Sequence, residues 1–497
     1  MKSLTNLPLQ PTEGESIGTD RDGVMTTAPA NITTGTRPAD YNRGYVWSVC
    51  LVAALGGLLF GYDWVVISGA DIFYEKFFRL ATSAEVGWAK SCALVGCLFG
   101  AVMSGMLSDR FGRKRLLILS AFLFTVSSLG TGLANAYTTF VVWRIVGGAA
   151  IGLASNLSPM YIAEAAPAQI RGKLVSINQL TIVVGILLAQ VVNWLIAQPV
   201  PPDATAMEIL NSWNGQSGWR WMFAATAAPS LLFFLGMFFV PESPRWLAKN
   251  GQRDRALGVL TRISGAAGAQ QAIADIEATL ANETARVRFR DLLAPKLRKI
   301  LFLGIALAVL QQWCGINVIF YYTKDVFAAA GYKVSDILLN IVIVGLANLT
   351  FTFVAIQTVE RLGRRFLMLA GWIGLTAIYL LLGGSYFFRL EGVVPVVLVI
   401  AAIGCYACTL APMTWVVLSE VFPNRIRGAA MSIAVFALWT GCFTLTYTFP
   451  LLNASLGSAR TFWLYAAICA VGFIYCLARL PETKGKTLEQ IERELVD

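Results

Sequence analysis

Long uncharged, mainly apolar runs alternate with short charged segments along most of this chain. A helix that crosses a bilayer needs about 20 mainly apolar residues. Asp, Glu, Lys and Arg are all missing from 44–62, 91–108, 116–143, 145–163, 174–202, 221–241, 300–323, 337–359, 366–388, 392–419, 428–459 and 461–478. Once runs of unsuitable length are divided or trimmed, the pattern predicts about twelve membrane-spanning helices.

The starts of these helices follow from the charged borders of the runs. The predicted helices begin near Val46, Trp88, Leu116, Thr139, Leu174, Trp221, Ile300, Asp336, Phe366, Val394, Gly428 and Thr461. The runs 174–202 and 428–459 are longer than one bilayer crossing requires. Each is therefore expected to hold one helix and an outer loop.

Composition excludes several classes of protein. Of the 497 residues, 56% are hydrophobic and 14% are charged, and the mean hydropathy is +0.63. Soluble domains carry about 25% charged residues. The net charge of +10 is spread in short bursts, whereas a nucleic-acid binder gathers such charge on one face. The sequence therefore predicts an all-α polytopic membrane protein and argues against a soluble enzyme, a nucleic-acid binder and a disordered scaffold.

Lys and Arg cluster in alternate connections, for example at 110–115, 171–173, 361–365 and 425–427. By the positive-inside rule this side of the membrane is cytoplasmic. Both termini are then expected in the cytoplasm, and the short loops suggest a bacterial cytoplasmic membrane. The predicted divisions are a disordered segment 1–45, a six-helix half 46–243, a cytoplasmic helical linker 244–299, a second half 300–480 and a tail 481–497.

The two halves repeat each other's motifs. The segment Asp109–Arg115 (DRFGRKR) recurs as Glu360–Phe366 (ERLGRRF), 251 residues later. Glu164, Arg171 and Gly172 recur 256 residues later. Each copy follows the equivalent helix on the same side of the membrane, so the repeats are parallel. This relation is found between the two halves of transporters that rock around a central site.

These motifs closely resemble those of the sugar porters in the major facilitator superfamily, over 46–490. The resemblance rests on FGYD at 60–63, DRFGRKR at 109–115, Arg144, PMYIAEAAPAQIRG at 159–172, NQL at 178–180, PESPRWL at 241–247, QQWCGINVIFYY at 311–322, ERLGRR at 360–365, EVFPNRIRG at 420–428 and PETKGKTLEQIE at 481–492. It implies two six-helix halves and transport of a monosaccharide.

The repeated motifs join acidic to basic side chains on the cytoplasmic face. We interpret them as a gate that closes when the two halves meet, an interpretation that the resemblance supports. The alternative is that these charges only set topology. The candidate gate residues are Asp109, Arg113, Lys114, Glu164, Arg171, Glu242, Arg245, Glu360, Arg364, Arg365, Glu420 and Arg427. Glu164, Glu242 and Glu420 are expected within reach of the guanidinium groups.

Asp63 lies deep in the first helix, and an ionisable residue inside a membrane is functional by default because burying its charge is costly. Arg144 is expected to be the only comparably placed base in the same half. If the two residues meet, Asp63 could take up and release a proton. The resemblance implies proton symport, since proton-coupled sugar porters typically carry Asp at this position. A permanent structural ion pair is the alternative.

A sugar site should present amides, which donate and accept hydrogen bonds, and aromatic faces. Gln312 and Asn317 fall within about 140° of one another on a regular helix. Residue types and resemblance together give the candidate set Phe60, Gln179, Gln311, Gln312, Asn317, Tyr321, Tyr322, Asn348, Trp415 and Trp439. Leu438, Ala411 and Ile186 depart from the sugar-porter pattern. The smaller number of polar contacts argues against a narrow pentose specificity and either favours a hexose or leaves the choice of sugar open.

The chain has no histidine, which removes the commonest proton carrier and metal ligand. We therefore expect no enzyme, no metal site and no cofactor, with H⁺ as coupling ion. The expected partners are a monosaccharide, protons and the lipid bilayer, without nucleic acid or an obligate protein. The leading hypothesis is proton-coupled monosaccharide import by alternating access. A facilitative uniporter and a proton-coupled cyclitol transporter are the alternatives.

Overall fold

The computed structural model describes residues 41–167, 169–201, 204–282, 294–422 and 427–482. Within these ranges the regular secondary structure is entirely helical. The first half contains α1 (Arg43–Phe77), α2 (Ser83–Phe111), α3 (Arg113–Gly132), α4 (Tyr137–Ala165), α5 (Arg171–Ile196), α6 (Ala206–Asn211), a π-helix (Asn214–Gly218), α7 (Trp219–Ala224) and α8 (Ala227–Phe239). The second half contains α11 (Pro295–Trp313), α12 (Ile316–Tyr321), α13 (Thr323–Ala328), α14 (Val334–Leu362), α15 (Arg364–Phe387), α16 (Val393–Cys408), α17 (Leu410–Val421) and α18 (Arg427–Arg479).

Eleven of the described helical segments are long and apolar enough to cross a membrane. One of them, α18, contains 53 residues and leaves helical geometry at Gly457, where φ is 78°. Counting α18 as two helices gives twelve, so the predicted all-α membrane architecture is confirmed. Each predicted start lies within five residues of an observed one.

The outer loop predicted near the end of 428–459 is wrong. The helix continues through this run, and the backbone departs from helical geometry only at Gly457. About 30 residues at 1.5 Å each span roughly 45 Å, which is the thickness of a bilayer together with its headgroup regions. The run is long because this helix reaches through the headgroup layer.

Two membrane helices of the second half are interrupted. Gly315 adopts a left-handed conformation (φ 87°) between α11 and α12. Thr409 (φ −127°, ψ −84°) separates α16 from α17. The latter break follows from Pro412, whose ring clashes with the carbonyl of the residue four positions earlier, Cys408. Discontinuous membrane helices leave backbone and side-chain polar groups available near the middle of the bilayer.

Two helices connect the halves, α9 (Pro244–Lys249) and α10 (Arg253–Asn282). They share a small apolar core that includes Trp246 and Leu260. The start of α1 is attached to this linker, because the amide of Asn42 donates to the carbonyl of Ile263 at 2.8 Å. The predictions for 1–40, 283–293 and 483–497 lie outside the described residues.

Helices α2 and α4 pack with their backbones in close contact. A Cβ added to Gly148 would overlap the carbonyl oxygen of Ala93, and one added to Gly96 would overlap that of Ile145. Small residues at such crossings permit dispersion contacts between membrane helices. The contact holds α4, and with it Arg144, in a fixed position.

We predict that Gly148→Ala destabilises the protein by about 1–3 kcal/mol, because the added methyl group must push the two backbones apart. The effect should appear as a lower apparent melting midpoint in detergent. Gly105→Ala in α2 is the matched control, since among the described residues no atom lies within 4 Å of a Cβ there. Equal midpoints for both variants would contradict the packing argument.

Candidate functional site

Asp63 of α1 and Arg144 of α4 form a buried ion pair. The Arg144 Nη1 donates to Asp63 Oδ1 at 2.9 Å, and the side chains are only 2% and 5% exposed. Arg144 Nη2 also lies 3.4 Å from the main-chain oxygen of Asp63. The structure thus brings together the two residues that the sequence singled out for proton coupling.

The second carboxylate oxygen of this pair is uncommitted. Asp63 Oδ2 is buried and accepts no hydrogen bond from the described residues. Gly147 lies beside it, and a Cβ there would be 3.7 Å from Oδ2. The Arg144 guanidinium also lies 5.3 Å from the ring centroid of Phe223. One oxygen of the Asp63 carboxylate is therefore bound to the guanidinium, and the other has no hydrogen-bond donor among the described residues.

A chain of polar side chains crosses the break between α11 and α12. Gln312 Nε2 donates to Gln311 Oε1 at 2.7 Å, and Gln311 Nε2 donates to the hydroxyl of Tyr406. Asn317 Nδ2 donates to Gln312 Oε1. Because Gly315 redirects the backbone, the side chain of Asn317 contacts that of Gln312 directly. On a regular helix the two residues would be separated by about 140°, so the sequence did not predict this contact. Tyr406 was missed, since a lone Tyr in an apolar run carries no distinguishing pattern.

Aromatic rings connect the first half to this polar chain. Phe60 and Trp64 of α1 stack at 5.6 Å between ring centroids, and Phe60 lies 5.8 Å from Trp439 of α18. Trp64 lies 5.9 Å from Tyr321 and 6.2 Å from Phe320, both on α12. The predicted residues Phe60, Tyr321 and Trp439 therefore belong to one aromatic group around the junction of the halves.

The remaining sugar-site candidates have different surroundings. Asn348 is buried, 6% exposed, whereas Gln179 is exposed and Trp415 is 39% exposed. No hydrogen bond among the described residues joins these three to the polar chain. The Tyr322 hydroxyl donates to the carbonyl of Thr446 at 2.7 Å, so it is already occupied.

On the face where α2 ends, the repeated motif builds an ion network within the first half. Arg113 pairs with Glu164 at 2.9 Å and with Asp109 at 3.3 Å. Glu242 accepts the main-chain N–H groups of Arg113 and Lys114 at 3.0 and 3.1 Å. The expectation that a guanidinium would reach Glu242 is thus replaced by a main-chain contact, because the turn at Gly112 directs these amides toward it.

The second half repeats this arrangement in three dimensions. Arg364 pairs with Glu420 at 3.3 Å, and Glu482 accepts the main-chain N–H groups of Arg364 and Arg365 at 3.1 and 3.2 Å. The ion pairs of Arg113 and Arg364 on this face each lie within one half, and that of Lys249 with Asp109 joins the first half to its attached linker. Arg171 is exposed and Arg245 is partly buried, while the side chains of Glu360 and Arg427 lie outside the description.

Comparison with known proteins agrees with this architecture. Residues 49–495 match the family model described as sugar (and other) transporter. The D-xylose-proton symporter of Escherichia coli K12 is 39% identical over 483 residues, covering 91% of this chain and 96% of that protein. The arabinose-proton symporter of Bacillus subtilis is 37% identical over 454 residues, with the same coverage.

The fold matches as well. The inward-open conformation of the xylose transporter XylE from E. coli superposes with a TM-score of 0.79 at 37% identity, covering 91% of this chain and all of that one. The chain belongs to the sugar transporter family. The resemblance to the sugar porters and the major facilitator fold are thereby confirmed, and the protein is a multi-pass membrane transporter.

This transporter contains a second buried ionic group that sequence reasoning missed. Lys90 of α2 is fully buried and pairs with Asp71 of α1, so the expectation that Arg144 is the only such base in its half is wrong. Lys90 borders the uncharged run 91–108 and falls in the first turn of the helix predicted from Trp88, but α2 begins two turns before Lys90, at Ser83. The i, i+4 pair Asp71 and Glu75 on one face of α1 was a sign of this group.

We predict that Arg144→Met costs about 3–5 kcal/mol of stability, because it leaves the buried Asp63 carboxylate without its partner. The double variant Asp63→Asn with Arg144→Met should recover most of this loss. The apparent melting midpoint in detergent measures both effects, with Arg171→Met on an exposed side chain as control. A double variant no more stable than Arg144→Met would contradict a paired buried charge.

Proposed function

We propose that this transporter imports a monosaccharide together with a proton by alternating access. The observation that carries the proposal is the buried Asp63–Arg144 pair, whose second carboxylate oxygen is uncommitted. Two relatives of 37–39% identity are proton symporters of D-xylose and arabinose. A carboxylate is also the natural proton carrier in a chain without histidine.

Protonation and sugar binding are coupled through α1. Asp63 faces Arg144 within its own half, while its neighbours Phe60 and Trp64 contact α18 and α12 of the other half. A proton on Oδ2 removes the charge that holds Arg144. The helix then moves more readily relative to α4, and its aromatic residues move with it against the sugar site.

The sugar binds at the polar chain beside these aromatic rings. Gln311, Gln312 and Asn317 offer amide donors and acceptors that match a polyol's hydroxyl groups. Phe60, Tyr321 and Trp439 supply apolar faces for the C–H side of the ring. Asn348, Gln179 and Trp415 approach the ligand when the halves close further. These hydrogen bonds between side chains exchange for bonds to the sugar.

The face that bears the repeated Arg-rich motifs is cytoplasmic in this proposal, with both chain ends on that side of the cell membrane. This orientation follows the positive-inside rule. The motif ion pairs keep each half rigid in the inward-open state, and their rearrangement between the halves closes the cytoplasmic gate.

Asp63→Asn tests proton coupling. An Asn keeps a hydrogen-bonding side chain but cannot carry a proton, so sugar-driven alkalinisation and accumulation against a gradient should be lost. Exchange of labelled sugar across the membrane should continue. The measurement is external pH in a lightly buffered suspension of de-energised cells, with glucose, galactose, xylose, arabinose and inositol added one at a time.

Asp254→Asn is the matched control, because Asp254 is an exposed carboxylate on α10. It should leave alkalinisation unchanged. Sugar entry down its gradient without alkalinisation in the unaltered protein would establish the uniporter alternative. A response to inositol alone would establish the cyclitol alternative. Accumulation that persists in Asp63→Asn would overturn the role of Asp63.

Tyr406→Phe tests the polar chain as the sugar site. Loss of the hydroxyl that accepts from Gln311 should raise the apparent KM for sugar about 2- to 10-fold, since one hydrogen bond contributes about 0.5–1.5 kcal/mol. Tyr379→Phe is the matched control, because its buried hydroxyl has no hydrogen-bond partner among the described residues. An equal change in KM for the two variants would argue against this site.

A further inference from the structure

Five ionisable side chains meet at the end of α1 that lies away from the motif face. Asp71 and Glu75 belong to α1, Lys90 to α2, and Lys324 and Asp325 to α13; we call them the outer cluster. Asp71 lies eight residues beyond Asp63, or about 12 Å along the helix. The other end of α1 is attached to the linker at Ile263, which fixes the direction of this helix.

The outer cluster is largely shielded from water. The side chains of Asp71 and Lys90 are 0% exposed, and those of Glu75 and Lys324 are 16% and 18% exposed. Lys90 contacts Asp71 directly, lies 3.7 Å from Glu75, and stands 4.0 Å from the ring centroid of Tyr322. Charges this buried persist only when they are paired.

The contacts of the outer cluster cross from one half to the other. Lys324 of the second half pairs with Glu75 and lies 4.0 Å from Asp71 of the first half. Lys90 of the first half lies 3.6 Å from Asp325 of the second half. The ion pairs of Arg113 and Arg364 on the motif face, in contrast, each lie within one half. The ion pairs of the outer cluster therefore link the two halves, whereas those of Arg113 and Arg364 on the motif face link helices of the same half.

Separation of the halves on this side would expose all five groups to water. Their mutual attraction would fall as the local dielectric rises, and hydration would replace it. The closed arrangement depends on charge balance, because three carboxylates share two ammonium groups. These five groups carry one excess negative charge, and loss of one lysine would raise the excess to two, which is costly when buried and cheap when hydrated.

We propose that the outer cluster is an ionic latch that keeps the extracellular side closed and sets the balance between inward-open and outward-open states. The proposal rests on the alternating access proposed above. It assigns Lys324 and Lys90 as positioning residues, which act on the arrangement of the halves without contact to sugar. Opening toward the outside then requires water to enter the cluster and the three cross-half contacts to break.

The test measures the distance between the halves on the outer side in proteoliposomes, without added sugar. Spin labels are placed by Ala136→Cys before α4 and Leu390→Cys after α15, both exposed positions at the ends of helices opposite the motif face. The background replaces the nine native cysteines and is first checked for folding. Pulsed electron–electron double resonance between the two labels gives the populations of short and long distances.

Lys324→Gln should raise the ratio of long to short distances about tenfold, within the usual 5- to 150-fold range of conformational coupling. Lys324→Arg keeps the positive charge and should give the same ratio of long to short distances as the unaltered protein. Arg253→Gln is the control, since it removes a cation from an exposed linker ion pair with Glu277. Should Lys324→Gln fail to fold, Lys90→Gln removes the cation of the Lys90–Asp325 contact and should shift the ratio in the same direction.

An unchanged distance distribution in both Lys324→Gln and Lys90→Gln would overturn the latch, as would a Lys324→Arg variant that behaves like Lys324→Gln. These outcomes are independent of sugar uptake. A shift in distance with no transport of any sugar would leave the latch standing and count against the proposed function. Transport with unchanged distances would count only against the latch.

Discussion

The cost of burying charge in a medium of low dielectric shapes this protein more than any other constraint. Asp63 and Arg144 lie within apolar helices, where burying either charge without a partner would be costly. Their pairing at 2.9 Å requires α1 and α4 at one fixed separation. The glycine contacts between α4 and α2 hold that position from behind. A change of charge at this pair therefore acts directly on helix packing.

The second half places neutral polar side chains inside the membrane. Gly315 and Thr409 interrupt two helices. Near these breaks the side-chain amides of Gln311, Gln312 and Asn317 bond to one another and to the Tyr406 hydroxyl. Such bonds between amides and a phenol exchange readily for bonds to hydroxyl groups. The first half thus holds the buried Asp63 carboxylate, and the second half holds the neutral amides. Helix α1 belongs to the first half and contacts α12 and α18 of the second.

The sequence predicted features that repeat or extend over many residues. Uncharged runs gave twelve helices, and the motif at 109–115 with its copy at 360–366 gave the parallel halves. Features set by one residue were harder to predict. Gly315 looks like any glycine in an apolar helix until its φ of 87° is known. Lys90 lies at the edge of an apolar run, and its burial depends on α13, a partner more than 200 residues away.

The different placement of charges on the two faces has a mechanical consequence. Ion pairs confined to one half, such as Arg113 with Glu164, leave the halves free to move as rigid bodies. Contacts that cross the halves, such as Lys324 with Glu75, oppose that movement until water reaches them. A protein whose two faces differ in this way is not symmetric in energy between its two open states. In the proposed mechanism the proton at Asp63 and the sugar at the polar chain overcome that bias together, because each binds one of the two states more tightly than the other.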